Sequence, residues 1–126
     1  MKIIIYNKND FDKLFIYEYI PRLIKNYFSD LFDQKRLDVI NNTFGINSFD
    51  IIMFALDNLK IYSQPDAYII EIDKNLRYKN INVDSIINLI TYGNRECKGY
   101  PLIYNIFKII AENVERIYEK WGNKWR

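Results

Sequence analysis

The stretch Ala67-Tyr68-Ile69-Ile70-Glu71-Ile72 decides the class of fold. Three isoleucines and a tyrosine in six residues suit an extended, half-buried chain, because β-branched and aromatic side chains pack well on a pleated surface. Turn chemistry bounds it on both sides, Ser63-Gln64-Pro65-Asp66 before and Asp73-Lys74-Asn75 after. Arg77 to Val83 is expected to return as a second strand and close a hairpin. Lys2 to Tyr6 is a further β-branched run, ended by the polar turn Asn7-Lys8-Asn9-Asp10.

The rest of the chain carries helical spacing. From Phe11 onward Leu14, Tyr17, Ile20, Ile24, Tyr27, Phe28 and Leu31 recur at the helical period, with Asn9 or Asp10 as the expected cap. Pro21 interrupts this run; its missing N–H and its ring predict a kink or two consecutive helices. A third helical piece is expected from about Leu31 to Asn41, ended near Gly45, which suits a left-handed residue. Ser48 is the expected N-cap of the next helix, whose face is Phe49, Ile52, Met53, Leu56 and Leu59. Asp84 is expected to cap a short helix over Ser85 to Tyr92, stopped at Gly93. Pro101 suits a first helical position, and Ile103, Phe107, Ile110, Val114, Ile117 and Trp121 form one stripe to a stop at Gly122. Glu112 and Arg116 are spaced as an exposed pair. Helices and strands that do not alternate regularly predict an α+β protein: four to six helices packed with a small antiparallel β-hairpin or short sheet, in a single domain over residues 1–126.

Composition narrows the chemistry. The chain has no His, one Cys (Cys97), 23 Ile, 15 Asn and 12 Lys. Proton transfer near neutral pH most often uses His, and Cys/His metal sites need several ligands. Cys97 lies between Arg95 and Lys98, cations that lower a thiol pKa, yet no imidazole exists to pair with it. Carboxylates remain: Asp10 with Asp12, Asp30 with Asp33, and Glu71 with Asp73. None of these pairs matches a recognised metal loop, and solvated charge at element ends is the simpler reading. Gly93 and Gly99 lack the spacing of a phosphate-binding loop. No catalytic residue, cofactor or metal is therefore expected, and the chain is read as a non-enzyme.

A single thiol argues against a disulfide framework, the N-terminal apolar run is too short for a signal-peptide core, and no segment approaches a membrane span. The expected setting is the cytoplasm or a virion. The excess of Ile, Asn, Lys, Tyr and Phe also fits an A/U-rich coding bias. Net charge is only +2, below the basic excess usual in duplex-binding domains.

The C-terminus is the most suggestive surface. Arg116, Lys120, Lys124 and Arg126 interleave with Trp121 and Trp125. Cations attract phosphates and Trp stacks bases, while Trp, Tyr and Arg also anchor protein interfaces. The plainer alternative makes Trp121 the end of the core stripe and the cations partners of the helix dipole. Trp125 falls beyond the expected helix stop, so it must fold back or meet another molecule. The expected partner-binding set is Arg116, Lys120, Trp121, Lys124, Trp125 and Arg126.

The segment Val83-Asp84-Ser85-Ile86-Ile87-Asn88-Leu89-Ile90-Thr91-Tyr92-Gly93-Asn94, followed by Lys98-Gly99-Tyr100-Pro101-Leu102-Ile103, resembles a stretch in small proteins of tailed phages of low-GC bacteria. The resemblance implies a virion, assembly or host-interaction protein and transfers no active-site residue. The functional expectation is a non-enzymatic interaction module, a phage structural or assembly protein that docks a protein partner or a copy of itself through an aromatic surface. Alternatives are an inhibitor of a host enzyme or defence system, a nucleic-acid-binding accessory protein using the basic Trp-bearing tail, and a carboxylate enzyme using a divalent metal.

Overall fold

The structure, a computed structural model, describes residues 1–30, 34–92 and 102–125. Strand β1 (Lys2–Tyr6) leads through a 3-10 turn at Lys8–Asp10 into a π-helical turn, Phe15–Tyr19, continuous with α1 (Ile20–Asp30). Helices α2 (Gln34–Phe44) and α3 (Ser48–Asp57) follow, then β2 (Leu59–Gln64) and β3 (Ala67–Ile72). A two-stranded ribbon, β4 (Arg77–Tyr78) and β5 (Ile81–Asn82), precedes α4 (Val83–Tyr92) and α5 (Leu102–Trp125). The protein is α+β, with five α-helices and a three-stranded antiparallel sheet of order β1-β3-β2 among the described residues.

The central strand is the one the sequence marks most clearly. Its register aligns Ile3, Ile70 and Ile61 across one face, and Lys2, Glu71 and Lys60 across the other. The first face is the core face: Ile3, Ile5, Ile70 and Ile72 are all buried there, each contributing about 1.5–3 kcal/mol through the apolar area it removes from water. Helix α5 packs on β1 and α1, and α3 packs on α1, α2 and α4. Ile20, Ile24 and Phe28 bury one face of α1, and the expected stripe of α5 enters the same core, with Ile103, Phe107, Ile110 and Trp121 buried and Val114 and Ile117 half-buried.

The hairpin partner differs from the expected one. Ala67–Ile72 pairs upstream with Leu59–Gln64 across a two-residue connection, Pro65-Asp66, so Leu59 belongs to a strand and not to the face of α3. Asn58 ends that helix, its N–H bonding Ala55 O and its Nδ2 donating to Phe54 O at 2.9 Å. Downstream, Asp73 Oδ1 accepts the Asn75 N–H at 3.0 Å and turns the chain off the sheet. Lys79 (φ 47) and Asn80 (φ 69) both adopt left-handed backbone, the geometry that closes a tight two-residue hairpin. Arg77 to Val83 is thus a separate ribbon running into α4, not a second strand of the main sheet.

Four local assignments are corrected by hydrogen bonding. Asp12, not Asn9 or Asp10, caps the first helical stretch, accepting the Leu14 N–H at 2.8 Å. Asn47, not Ser48, caps α3. Ser48 is fully buried and its N–H and O–H both donate to Asn41 Oδ1, at 2.8 and 2.6 Å. Asn82, not Asp84, caps α4 through the Ser85 N–H at 2.9 Å. Arg116 donates to Asn113 Oδ1 at 3.0 Å, whereas the expected pair was with Glu112. In the three caps the reason is that Asn, Asp and Ser all serve there, and competing candidates stand only one to three residues apart.

At Pro21, where a kink or two consecutive helices were expected, a π-helical turn runs directly into α1. The Ile20 N–H bonds Phe15 O, five residues back, and the proline follows at once. A π-turn loosens the backbone where a regular turn would clash with the ring. Gly45 is left-handed (φ 64), as its position after α2 demands.

Gly122 does not stop α5, which continues to Trp125. A glycine ends a helix by adopting left-handed backbone, and Gly122 does not adopt it. Nothing lies within 4 Å of a Cβ built on Gly122, so Gly122→Ala should raise stability by about 0.5–1 kcal/mol. A urea midpoint that falls would show that the last turn is not helical in solution.

On the outer face of the sheet, Glu71 lies between Lys2 and Lys60 and diagonally from Tyr62. Burial, then the charge of Glu71 and a hydrogen bond to it, hold the Tyr62 hydroxyl above its ordinary value of 10.0. A raised value favours the neutral phenol. Its contribution to stability is complete below the ordinary Tyr value and is lost as pH rises through the folded value. Tyr62 should therefore ionise later by NMR titration than an unperturbed tyrosine, and Glu71→Gln should bring it back towards that value.

Expectations at Leu31, Asp33, Gly93, Cys97, Pro101 and Arg126 lie outside the described residues. Among the described residues no single helix is long and apolar enough to cross a membrane. The bent pair Leu37–Phe44 and Ser48–Asp57 turns through 106° and buries Leu37, Ile40, Ile51 and Ile52 in the core.

Candidate functional site

Helix α5 carries the partner-binding residues expected from sequence, and the structure divides them. Arg116 and Lys120 are exposed. Trp121 is 6 % exposed and belongs to the core. Lys124 and Trp125 occupy the last turn of the helix, with side chains outside the described residues, as is all of Arg126. Trp125 does not lie beyond a helix stop, because α5 continues through Gly122.

Trp121 is held in an aromatic cluster. Its ring lies 5.7 Å from Phe15, edge to face, and 5.7 Å from Tyr118, stacked. Tyr118 meets Phe15 at 4.9 Å and Phe11 at 5.1 Å. Edge and stacked pairs at these separations are the favourable arrangements of ring quadrupoles. Trp121 is therefore corrected from docking residue to core residue: it ends the stripe that α5 turns inward, as the plainer alternative has it, and does not lie on the flank that carries the cations.

That flank faces α1 across a groove. Tyr19, Leu23 and Tyr27 line it from one side and Arg116, Ile117 and Lys120 from the other, forming a half-open cleft of about 200 Å³. The geometry follows from helical spacing. Tyr19, Leu23 and Tyr27 repeat every four residues and flank the buried row Ile20, Ile24 and Phe28. Arg116 and Lys120 repeat likewise beside the buried row of α5. Tyr19, at the end of the π-turn, and Leu23 and Tyr27 on α1 are all half-buried. Tyr19 also stacks on Phe15 at 5.7 Å, which ties the groove wall to the aromatic cluster beneath it.

The groove is lined by two aliphatic side chains, two phenols, a guanidinium and an ammonium. It offers no carboxylate, no imidazole and no thiol among its lining residues. It can seat an apolar side chain and pair with anions. The candidate carboxylates do not line it, and three of them have other partners. Asp12 caps a helix, Asp73 holds a turn, and Glu71 serves Tyr62. Among the described residues no three His, Cys, Asp or Glu side chains gather as a metal site.

Tyr19 and Leu23 were not singled out on sequence. The available signal was the second four-residue row on α1, which periodicity alone assigns to the margin of the core. No protein-family model, no curated protein and no solved structure matches this chain, so the groove is argued from its own geometry.

Proposed function

We propose that the protein is a non-enzymatic interaction module that docks a protein partner on the α1/α5 groove, and that it serves as a small phage structural or assembly protein. The groove carries the reading: half-buried Tyr19 and Tyr27 stand opposite exposed Arg116 and Lys120, and Tyr and Arg are the residues that concentrate binding energy at interfaces. The phage assignment is supported by the resemblance at Val83 to Asn94 and Lys98 to Ile103. The same chemistry admits a host-directed role, which differs only in whose protein is bound.

The test compares wild type with Arg116→Glu/Lys120→Glu for complexes formed in the native setting, by crosslinking and native mass measurement. Both residues are exposed, so the double variant should melt with the wild type. A partner present in stoichiometric amount with wild type should be lost, with binding weakened about tenfold or more for roughly 1.4 kcal/mol of lost interaction. A partner retained in full by the double variant would remove the groove from the interface. Turnover of a substrate by the purified chain would end the non-enzymatic reading.

A further inference from the structure

We infer that the groove between α1 and α5 takes an acidic protein segment with one bulky apolar anchor. This rests on the interaction reading and adds the chemistry of the partner.

Size argues for a side chain over a small-molecule ligand. The groove is a half-open cleft of about 200 Å³, below the roughly 300–1,000 Å³ of small-ligand sites. A space of that scale suits the tip of one large apolar residue, lying over Leu23 and Ile117 between the rings of Tyr19 and Tyr27. Aromatic walls and an aliphatic floor desolvate such an anchor without leaving buried polar groups unpaired.

Charge sets the sign of the surroundings. The six lining residues include two cations and no carboxylate. Glu112, one turn before Arg116, is not among them. Arg116 bonds Asn113 through Nη2 at 3.0 Å, which orients the guanidinium without neutralising it. A neutral or basic segment would leave both cations facing an apolar or like-charged surface. An acidic one converts them into charge-assisted hydrogen bonds.

Spacing sets the pattern. Arg116 and Lys120 are four residues apart on α5, about 6 Å along the axis. Carboxylates match that interval at i and i+4 on a helix, or at i and i+2 on a strand. The partner is thus a segment with two carboxylates at one of those spacings beside a Leu, Phe or Trp anchor. A single-stranded nucleic acid supplies anions too, but two cations on an apolar floor make a short electrostatic track compared with the charged grooves such strands occupy.

The experiment selects short random peptides displayed on yeast against the full chain, then measures the enriched peptides on Arg116→Gln/Lys120→Gln and on Arg116→Lys. The expected result is enrichment of acidic peptides bearing an aromatic or aliphatic anchor. Their affinity should fall with added salt, drop at least tenfold in the double Gln variant, and stay within about threefold of wild type in Arg116→Lys. Enriched peptides that are neutral or basic, or indifferent to the double variant, would overturn the acidic assignment and leave the interaction reading standing. A poly-uridine oligonucleotide bound more tightly than any peptide would overturn it in favour of nucleic acid. No enrichment over an unrelated domain would overturn it and withdraw support from the groove as well.

Discussion

Trp121→Ala is expected to destabilise the domain by about 3–5 kcal/mol, enough to consume much of the roughly 5–15 kcal/mol that holds a typical domain together. The indole is 6 % exposed and touches Phe15 and Tyr118, so truncation opens a cavity where α5 crosses the start of the first helical run. The informative companion is Trp121→Phe. Among the described residues, the Trp121 Nε1–H is buried with no acceptor, and an unmet donor costs about 1–3 kcal/mol. Phenylalanine removes that donor while keeping one ring in the cluster. Its net effect should lie within about 1.5 kcal/mol of wild type, because the relieved donor offsets lost area. Urea unfolding by circular dichroism separates the cases. If Trp121→Ala leaves the midpoint unchanged, the indole is not part of the core, and its place at a docking surface returns.

Asn41→Ala should cost about 2–4 kcal/mol, a large effect for a residue that is only half-buried. Asn41 Oδ1 accepts from both the N–H and the O–H of Ser48, at 2.8 and 2.6 Å, and Ser48 is completely buried. Removing the acceptor leaves two buried donors unmet, each worth about 1–3 kcal/mol. One of them is among the first N–H groups of α3, which have no partner within their own helix. Ser48→Ala removes only one bond together with its donor, so it should cost about 0.5–1.5 kcal/mol. The double variant should cost less than the sum of the two singles, since the hydroxyl no longer needs Asn41. Additive losses in thermal or urea unfolding would show that the pair does not interact in solution.

These two residues also show where sequence reading stops. Asn41 was read as the end of a helix and Ser48 as a cap, both from local chemistry. Their actual partnership links residues seven apart across the bend between α2 and α3, and no periodicity encodes it. The Arg77 to Val83 expectation failed in the same way. That segment has strand-forming residues, but pairing depends on which neighbour can reach Ala67–Ile72, and Leu59–Gln64 is delivered first by a two-residue turn. At the groove, the exposed cations Arg116 and Lys120 were legible. Tyr19 and Leu23 were not, because a row beside the core stripe acquires meaning only when a second helix faces it.

What the sequence by itself determined is local and periodic: the strand at Ala67–Ile72, the helical stripes of α1 and α5, the irregular turn at Pro21, the left-handed Gly45 and the α+β class. Each rests on spacing or on one residue's backbone preference, and both are written in the chain. Only the tertiary structure decided the strand order β1-β3-β2, the choice between core and docking surface for Trp121, and the opening of a groove between α1 and α5. Those outcomes depend on which faces meet after residues distant in the chain come together, and burial is a property of that meeting rather than of any residue alone.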